Sequence, residues 1–167
     1  MSERQRANNE NSRPRWLDED EMRAWRRLMG VRFQLLGALD RELQAAHNMS
    51  LADYEVLIRV SEAGPEGLRM TELAEQLLLS PSGLTRRLDG LVRDGLVARR
   101  SCPSDRRGSY AVLTEYGRQR LEEAAPTHVD GVRRHFIDRL TRQQVLALAD
   151  ALSVVTDGAE CDPFCVQ

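Results

Sequence analysis

The chain has 167 residues, enough for one domain with its own core, and 41% of them are apolar. Its 24 basic residues are all arginines and stand against 26 acidic residues, so the net charge of −2 does not by itself favour a nucleic-acid partner. The sequence contains neither a secretory signal nor an apolar run of about 18 residues, so we expect a cytoplasmic protein without a membrane partner. Its three cysteines, an odd number, argue against a disulfide scaffold.

Apolar residues at helical spacing, interrupted by turn residues, predict six helices along most of the chain. The predicted helices cover residues 18–47, 50–62, 71–79, 80–94, 115–139 and 142–155. Five of them begin at or just after a residue type that caps helix N-termini, namely Asp18, Ser50, Ser80, Thr114 and Thr141. The polar segment 1–16 is expected to be a disordered arm, and 158–167 a flexible tail.

Between the fourth and fifth helices the pattern changes to short runs rich in β-branched and aromatic residues. LVARR (96–100) and SYAVL (109–113) predict two strands, and the eight residues between them are too many for a tight hairpin. The prediction is a mainly α fold with a small β wing. A winged helix-turn-helix core at about 50–113 would lie between long helices at about 18–47 and 115–157, all within one domain over 17–157.

The helix predicted from Ser80 to about Asp94 has the chemistry of a helix that reads the DNA major groove. About 100° per residue places Leu84, Leu88, Leu91 and Val92 on one side, facing the core. The opposite side and its flanks carry Ser82, Thr85, Arg86, Arg87, Asp89 and Arg93. Hydroxyls can bind phosphates, and arginine can bind the O6 and N7 atoms of guanine, although a merely solvated face is the alternative.

Charge is concentrated in the same region. Between Ser80 and Arg107, seven arginines and three aspartates give a net charge of +4, which leaves −6 for the rest of the chain. Arg106 and Arg107 lie at the predicted loop tip and could reach a minor groove or the DNA backbone, with Asp105 holding an arginine in an ion pair. This distribution is typical of a duplex binder.

The stretch MTELAEQLLLSPSGLTRRLDGLVRDGLVARRSCPSDRRGSYAVLTEYG (70–117) resembles the DNA-binding core of the MarR family of bacterial transcriptional regulators. The DRRG tip followed by LTEYG carries much of the resemblance, which extends over about residues 18–157. It implies an obligate homodimer on a pseudo-palindromic double-stranded DNA operator, usually a repressor that small molecules release. The predicted DNA-binding residues are Ser80, Ser82, Thr85, Arg86, Arg87, Arg93, Asp105, Arg106 and Arg107.

Members of the family often bind aromatic acids or phenols near the dimer helices. Arg32 interrupts the apolar stripe of the first helix and could bind such an anionic effector, with Trp25 and Met29 as walls and Tyr54 as a polar tip. Alternatively, Arg32 pairs with a carboxylate or extends into solvent.

Other functions have weaker support in the sequence. Cys102, close to several arginines, leaves open a redox-responsive regulator, and a winged helix that binds only protein is a second alternative. His128 and His135 are seven residues apart, which is not the one-turn spacing of a helical zinc pair. We predict no metal, no cofactor and no enzymatic activity, because no catalytic constellation is recognisable.

Overall fold

The structure, a computed structural model, describes residues 14–101 and 109–156, which form two compact units, one ending at Gln34 and the other beginning at Leu35. The helices are α1 (Glu19–His47), α2 (Leu51–Glu62), α3 (Met70–Gln76), α4 (Pro81–Arg93), α5 (Glu115–His135) and α6 (Arg142–Val155). The strands are β1 (Leu68–Arg69), β2 (Val97–Ser101) and β3 (Ser109–Leu113). This order confirms the predicted mainly α fold with a small wing.

Local capping determines where the helices begin. At the start of α1, the backbone N–H of Glu21 donates to the Asp18 carboxylate at 2.8 Å, and that of Asp18 donates to the Glu21 carboxylate at 2.9 Å. The other predicted caps are also present; the residues whose side chains accept a backbone N–H from the first turn are Ser50, Ser80, Thr114 and Thr141. All five predicted N-termini are therefore confirmed.

In the first unit the predicted apolar stripe of the long helix is largely exposed. Trp25 is 53% exposed, and Leu28 is exposed as well. In the second unit, Leu39 and Leu43 of the same helix are buried. The stripe thus contributes to the core of the described chain only along the C-terminal half of α1.

The core of the second unit gathers apolar side chains from every helix except α6. The largest side chains that are fully buried include Leu43, Tyr54, Leu57, Leu73, Leu84, Leu88 and Val97. Inward-facing Tyr54, Leu57 and Ile58 of α2 agree with the predicted pattern. Burial of α4 against this core fixes which of its faces is exposed.

The wing has three antiparallel strands in the order β1-β3-β2, one more than the sequence predicts. The additional strand has two residues, and Leu68 pairs with Ala111, 43 positions later in the chain. So short a strand leaves no alternating pattern, and only the long-range pairing defines it. Gly67, with φ of 76°, precedes it, and a Cβ there would clash with the Ala111 carbonyl.

Two helices end earlier than predicted. α5 ends at His135, and a 3-10 turn over Ile137–Arg139 replaces the last predicted turn. α3 ends at Gln76 rather than near residue 79, because Leu78 takes a left-handed backbone conformation with φ of 51°. A leucine in that conformation is strained, since its Cβ crowds the backbone.

We expect Leu78→Asn to raise the free energy of unfolding by about 1 kcal/mol, because asparagine tolerates the left-handed region better than leucine does. Leu78 is 93% exposed, so its removal loses little packing. Urea unfolding monitored by circular dichroism measures the change. Leu78→Ala is the matched control, since alanine keeps the Cβ and hence the strain; an equal gain from both variants would contradict the explanation.

Candidate DNA-binding surface

α4 buries one side and exposes the other. Leu84, Leu88 and Leu91 are buried in the core of the second unit. The exposed residues of the other side include Ser82, Thr85, Arg86, Asp89 and Arg93. The prediction that Val92 faces the core is wrong, since this residue is 37% exposed. It lies about 100° around the helix from Leu91, at the edge of the buried stripe.

Hydroxyl groups of the first turn of α4 are held by the helix itself. The Ser80 hydroxyl accepts the backbone N–H of Gly83 at 3.1 Å and lies 3.3 Å from the Ser82 hydroxyl. The Thr85 hydroxyl donates to the Pro81 carbonyl at 2.8 Å. These three predicted site residues are brought together at the N-terminal end of α4, where backbone N–H groups favour an anion.

The three arginines of α4 differ in their partners. Arg87 donates to the Asp53 carboxylate at 3.0 Å, and Arg93 lies 3.6 Å from the carboxylate of the neighbouring Asp94. Arg86 is exposed and has no ion-pair partner within the described residues. Among the arginines of α4, Arg86 is therefore the one whose charge no carboxylate of the described residues neutralises.

Strand β2 is attached to α4 by an interaction that the sequence did not indicate. The Arg99 guanidinium binds the Asp89 carboxylate at 2.7 Å, and the same nitrogen donates to the Thr85 carbonyl at 3.4 Å. Asp89 was expected on the polar face of α4, but nothing local identifies its partner ten residues later. The pair fixes the wing beside the exposed face and neutralises an acidic group there.

The other side of β2 is attached to the turn that precedes β1. Arg100 binds the Glu66 carboxylate at 3.0 Å, and its guanidinium lies 5.9 Å from the centre of the Tyr110 ring. From the adjacent strand β1, Arg69 donates to the Tyr110 hydroxyl at 3.0 Å. Arg99 and Arg100 thus brace the wing from two sides, and each binds a carboxylate although both residues stay exposed.

The predicted loop-tip residues Asp105, Arg106 and Arg107 lie outside the described residues, as does Cys102. The last described pair of the hairpin is Ser101 with Ser109. Contacts of the tip with DNA, and the redox alternative, therefore stay predictions.

The four residues predicted to bind an effector have different environments. Trp25 and Arg32 are exposed and Met29 is half-buried. Tyr54 is fully buried, with its ring stacked on the buried His128 at 4.7 Å between centroids. Burial raises the pKa of Tyr54 to about 12, and its hydroxyl finds no hydrogen-bond partner among the described residues. The polar tip predicted from the sequence is thus a core residue of the second unit.

Burial also lowers the pKa of His128 below the usual range of histidine.

A groove of about 710 Å³ lies between α2 and α5. Its lining includes Ile58, Glu62, Arg118, Leu121, Pro126 and Val129. The groove offers a second location, apart from the Arg32 region, for a small molecule.

Residues 14–101 and 109–156 contain no group of three or more histidine, cysteine, aspartate or glutamate residues able to hold a metal ion. The same ranges contain no helix that is long and apolar enough to cross a membrane.

Comparison with known proteins identifies similar sequences. A model of the MarR family matches residues 47–108. The transcriptional repressor YetL of Bacillus subtilis is 33% identical over 119 residues, which cover 68% of this chain and 71% of YetL.

Solved structures extend the similarity to the flanking helices. The chain resembles AbsC, a MarR family transcriptional regulator from Streptomyces coelicolor, with 38% identity and a TM-score of 0.79 over 87% of this chain and 97% of AbsC. It also resembles Sco3205, a MarR family regulator from the same organism solved in complex with DNA. That match has 37% identity and a TM-score of 0.81 over 90% of this chain and 94% of Sco3205.

Proposed function

Since this chain belongs to the MarR family of transcriptional regulators, a family of DNA-binding proteins without enzymatic activity, we propose that it binds a pseudo-palindromic duplex operator as a homodimer and represses transcription until a small molecule releases it. Repression is supported by the relative YetL, which is a repressor. DNA binding is supported by Sco3205, whose structure contains DNA.

The observation that carries the proposal is the exposed face of α4. Ser82, Thr85 and Arg86 project from one side of a helix whose other side is anchored in the core, and Arg86 has no carboxylate partner among the described residues. An unpaired arginine beside small hydroxyl residues suits bidentate binding of guanine in the major groove. The residues proposed to contact DNA from α4 are Ser80, Ser82, Thr85, Arg86 and Arg93, with Asp105, Arg106 and Arg107 acting from the loop.

A homodimer is supported by the last helix. Val145, Leu148, Leu152 and Val155 fall on one stripe of α6, yet none of the residues of this helix is buried. The exposed Trp25 and Phe33 of the first unit add apolar surface. A second copy of the chain is the natural cover for such helices, and it would provide two copies of α4 for a two-fold symmetric operator.

The test is a fluorescence-anisotropy titration with DNA from upstream of the chain's own gene and with a shuffled duplex of equal composition. We expect the upstream duplex to bind at least about 1,000-fold more tightly at physiological salt, with affinity that falls steeply as salt rises. Equal affinity for both duplexes would contradict regulation by specific binding at that site.

For the effector, we propose a small aromatic or phenolic anion that contacts Arg32. The residues one turn away from Arg32 along α1 include Leu28, Met29 and Leu36, all apolar, so its own helix provides no partner there.

Arg32→Ala is expected to raise the concentration of an aromatic acid needed to release DNA by about tenfold, because a charge-assisted hydrogen bond of about 1.5 kcal/mol is lost. Salicylate and 4-hydroxybenzoate are suitable probes, with release followed by anisotropy. Arg27→Ala, an exposed arginine on the same helix, is the control. Unchanged release in Arg32→Ala would exclude this residue and direct attention to the groove between α2 and α5.

A further inference from the structure

Arg87 differs from the other two arginines of α4 in being held from a second helix. Its guanidinium nitrogen Nη1 lies 3.0 Å from Oδ1 of Asp53, and the two side chains are only about one-third exposed, at 32% and 31%. The arginine and the aspartate are 34 positions apart, so α4 and α2 are joined by this pair. Arg87 is thus oriented by α2, whereas Arg86 and Arg93 are not.

Asp53 is itself fixed, so it is a rigid partner. Its second carboxylate oxygen accepts the Ser50 hydroxyl at 2.5 Å, and its backbone N–H donates to the same hydroxyl at 3.1 Å. Ser50 and Asp53 form the first turn of α2, with the next residue, Tyr54, buried in the core. The position of the Asp53 carboxylate is therefore set by the fold and does not depend on Arg87.

All three arginines of α4 line one groove. It has a volume of about 500 Å³ and runs along the flank of the helix, with Asp53 and Asp94 on its walls. Gly83 and Gly90, one turn to either side of Arg87, leave the groove open because they have no side chains. If released from Asp53, the Arg87 guanidinium would still lie in the groove that Arg86 and Arg93 also line.

We propose that Asp53 withholds Arg87 from DNA, so that Arg87 positions α4 and makes no phosphate contact of its own. The proposal rests on the DNA-binding function above and replaces the predicted role of Arg87 as a DNA contact. Phosphate contacts strengthen binding to any sequence, whereas base contacts depend on the orientation of the reading helix. An arginine that only orients α4 therefore strengthens binding to the operator without strengthening binding to random DNA.

The salt dependence of binding measures this directly. Each phosphate neutralised by a protein cation adds about 0.9 to the slope of log affinity against log salt. We expect Asp53→Asn to steepen the slope on shuffled duplex by about 0.9 and to raise affinity for that duplex about fivefold. Arg87→Gln should leave the slope at the wild-type value, and the double variant should return the slope to that value.

Asp94→Asn is the matched control, because it also removes one negative charge beside an arginine of the same groove. The Arg93 and Asp94 side chains are 79% and 60% exposed and 3.6 Å apart, so Arg93 is not held back and the slope should change little. Thermal unfolding of each variant verifies that it is folded.

Three results would overturn the proposal. A slope that falls by about 0.9 in Arg87→Gln alone would mean that Arg87 already binds phosphate. Equal steepening of the slope by Asp53→Asn and Asp94→Asn would mean a general effect of removing one negative charge. An unchanged slope in Asp53→Asn would mean that Asp53 does not keep Arg87 from binding phosphate. Wild-type protein that binds no duplex would refute the DNA-binding function itself, a result distinguishable from the others.

Discussion

Arg86→Ala is expected to weaken operator binding by about thirtyfold, equivalent to about 2 kcal/mol, while binding to shuffled duplex falls far less. Arg86 is exposed on the face of α4 opposite the buried Leu84 and Leu88, and no carboxylate within the described residues neutralises it. Its loss would remove a bidentate contact to a base edge, which only the correct sequence provides. Anisotropy titrations with both duplexes measure the two affinities.

Arg118→Ala is the control, because it removes the same positive charge from a different surface. Arg118 is an exposed arginine on α5, and it lines the groove between α2 and α5 rather than the surface of α4. Its replacement should leave the preference for the operator unchanged. If Arg86→Ala weakened binding to operator and shuffled duplex by the same factor, Arg86 would be a phosphate contact rather than a base-reading residue.

Leu152→Glu is expected to convert the dimer to monomers and to lower operator affinity by at least about 100-fold. Leu152 belongs to the stripe of α6 that leaves apolar side chains uncovered in the described chain. At a two-fold interface the substitution would place a carboxylate from each copy in an apolar environment, which is strongly unfavourable. A monomer binds one half-site and loses the gain from joining two binding events.

Sedimentation velocity measures the oligomeric state and anisotropy the affinity. Ala147→Glu is the control, because Ala147 lies about 140° around the helix from Leu152, on the side that carries Gln143 and Asp150. We expect this variant to remain dimeric and to bind operator normally. Loss of the dimer in both variants, or in neither, would contradict an interface along the stripe.

Local signals in the sequence are sufficient to predict most helix boundaries. The caps at Ser50, Ser80 and Thr114 act on residues three positions away, so a short stretch of sequence contains both partners. The buried face of α4 follows from the spacing of its leucines in the same way. Helical periodicity alone is therefore enough to place the exposed arginines of α4 away from the core.

Interactions between distant residues could not be predicted in this way. Asp53 and Arg87 meet only because α2 packs beside α4, and β1 exists only because Leu68 pairs with Ala111. The helical pattern places Arg86 on the polar side of α4 and Arg87 on its flank, but it identifies no partner that would give the two arginines different roles. The structure separates them through the carboxylate that only Arg87 reaches.

Selection of bound duplexes from a random pool, followed by sequencing, is the most direct measurement of DNA reading by paired α4 helices. We expect wild-type protein to enrich one motif made of two inverted half-sites, with centres about one helical turn, or about 10 base pairs, apart. In Arg86→Ala the same positions should lose their sequence preference. Recovery of no motif, or of one without two-fold symmetry, would contradict a homodimer that reads an operator through α4.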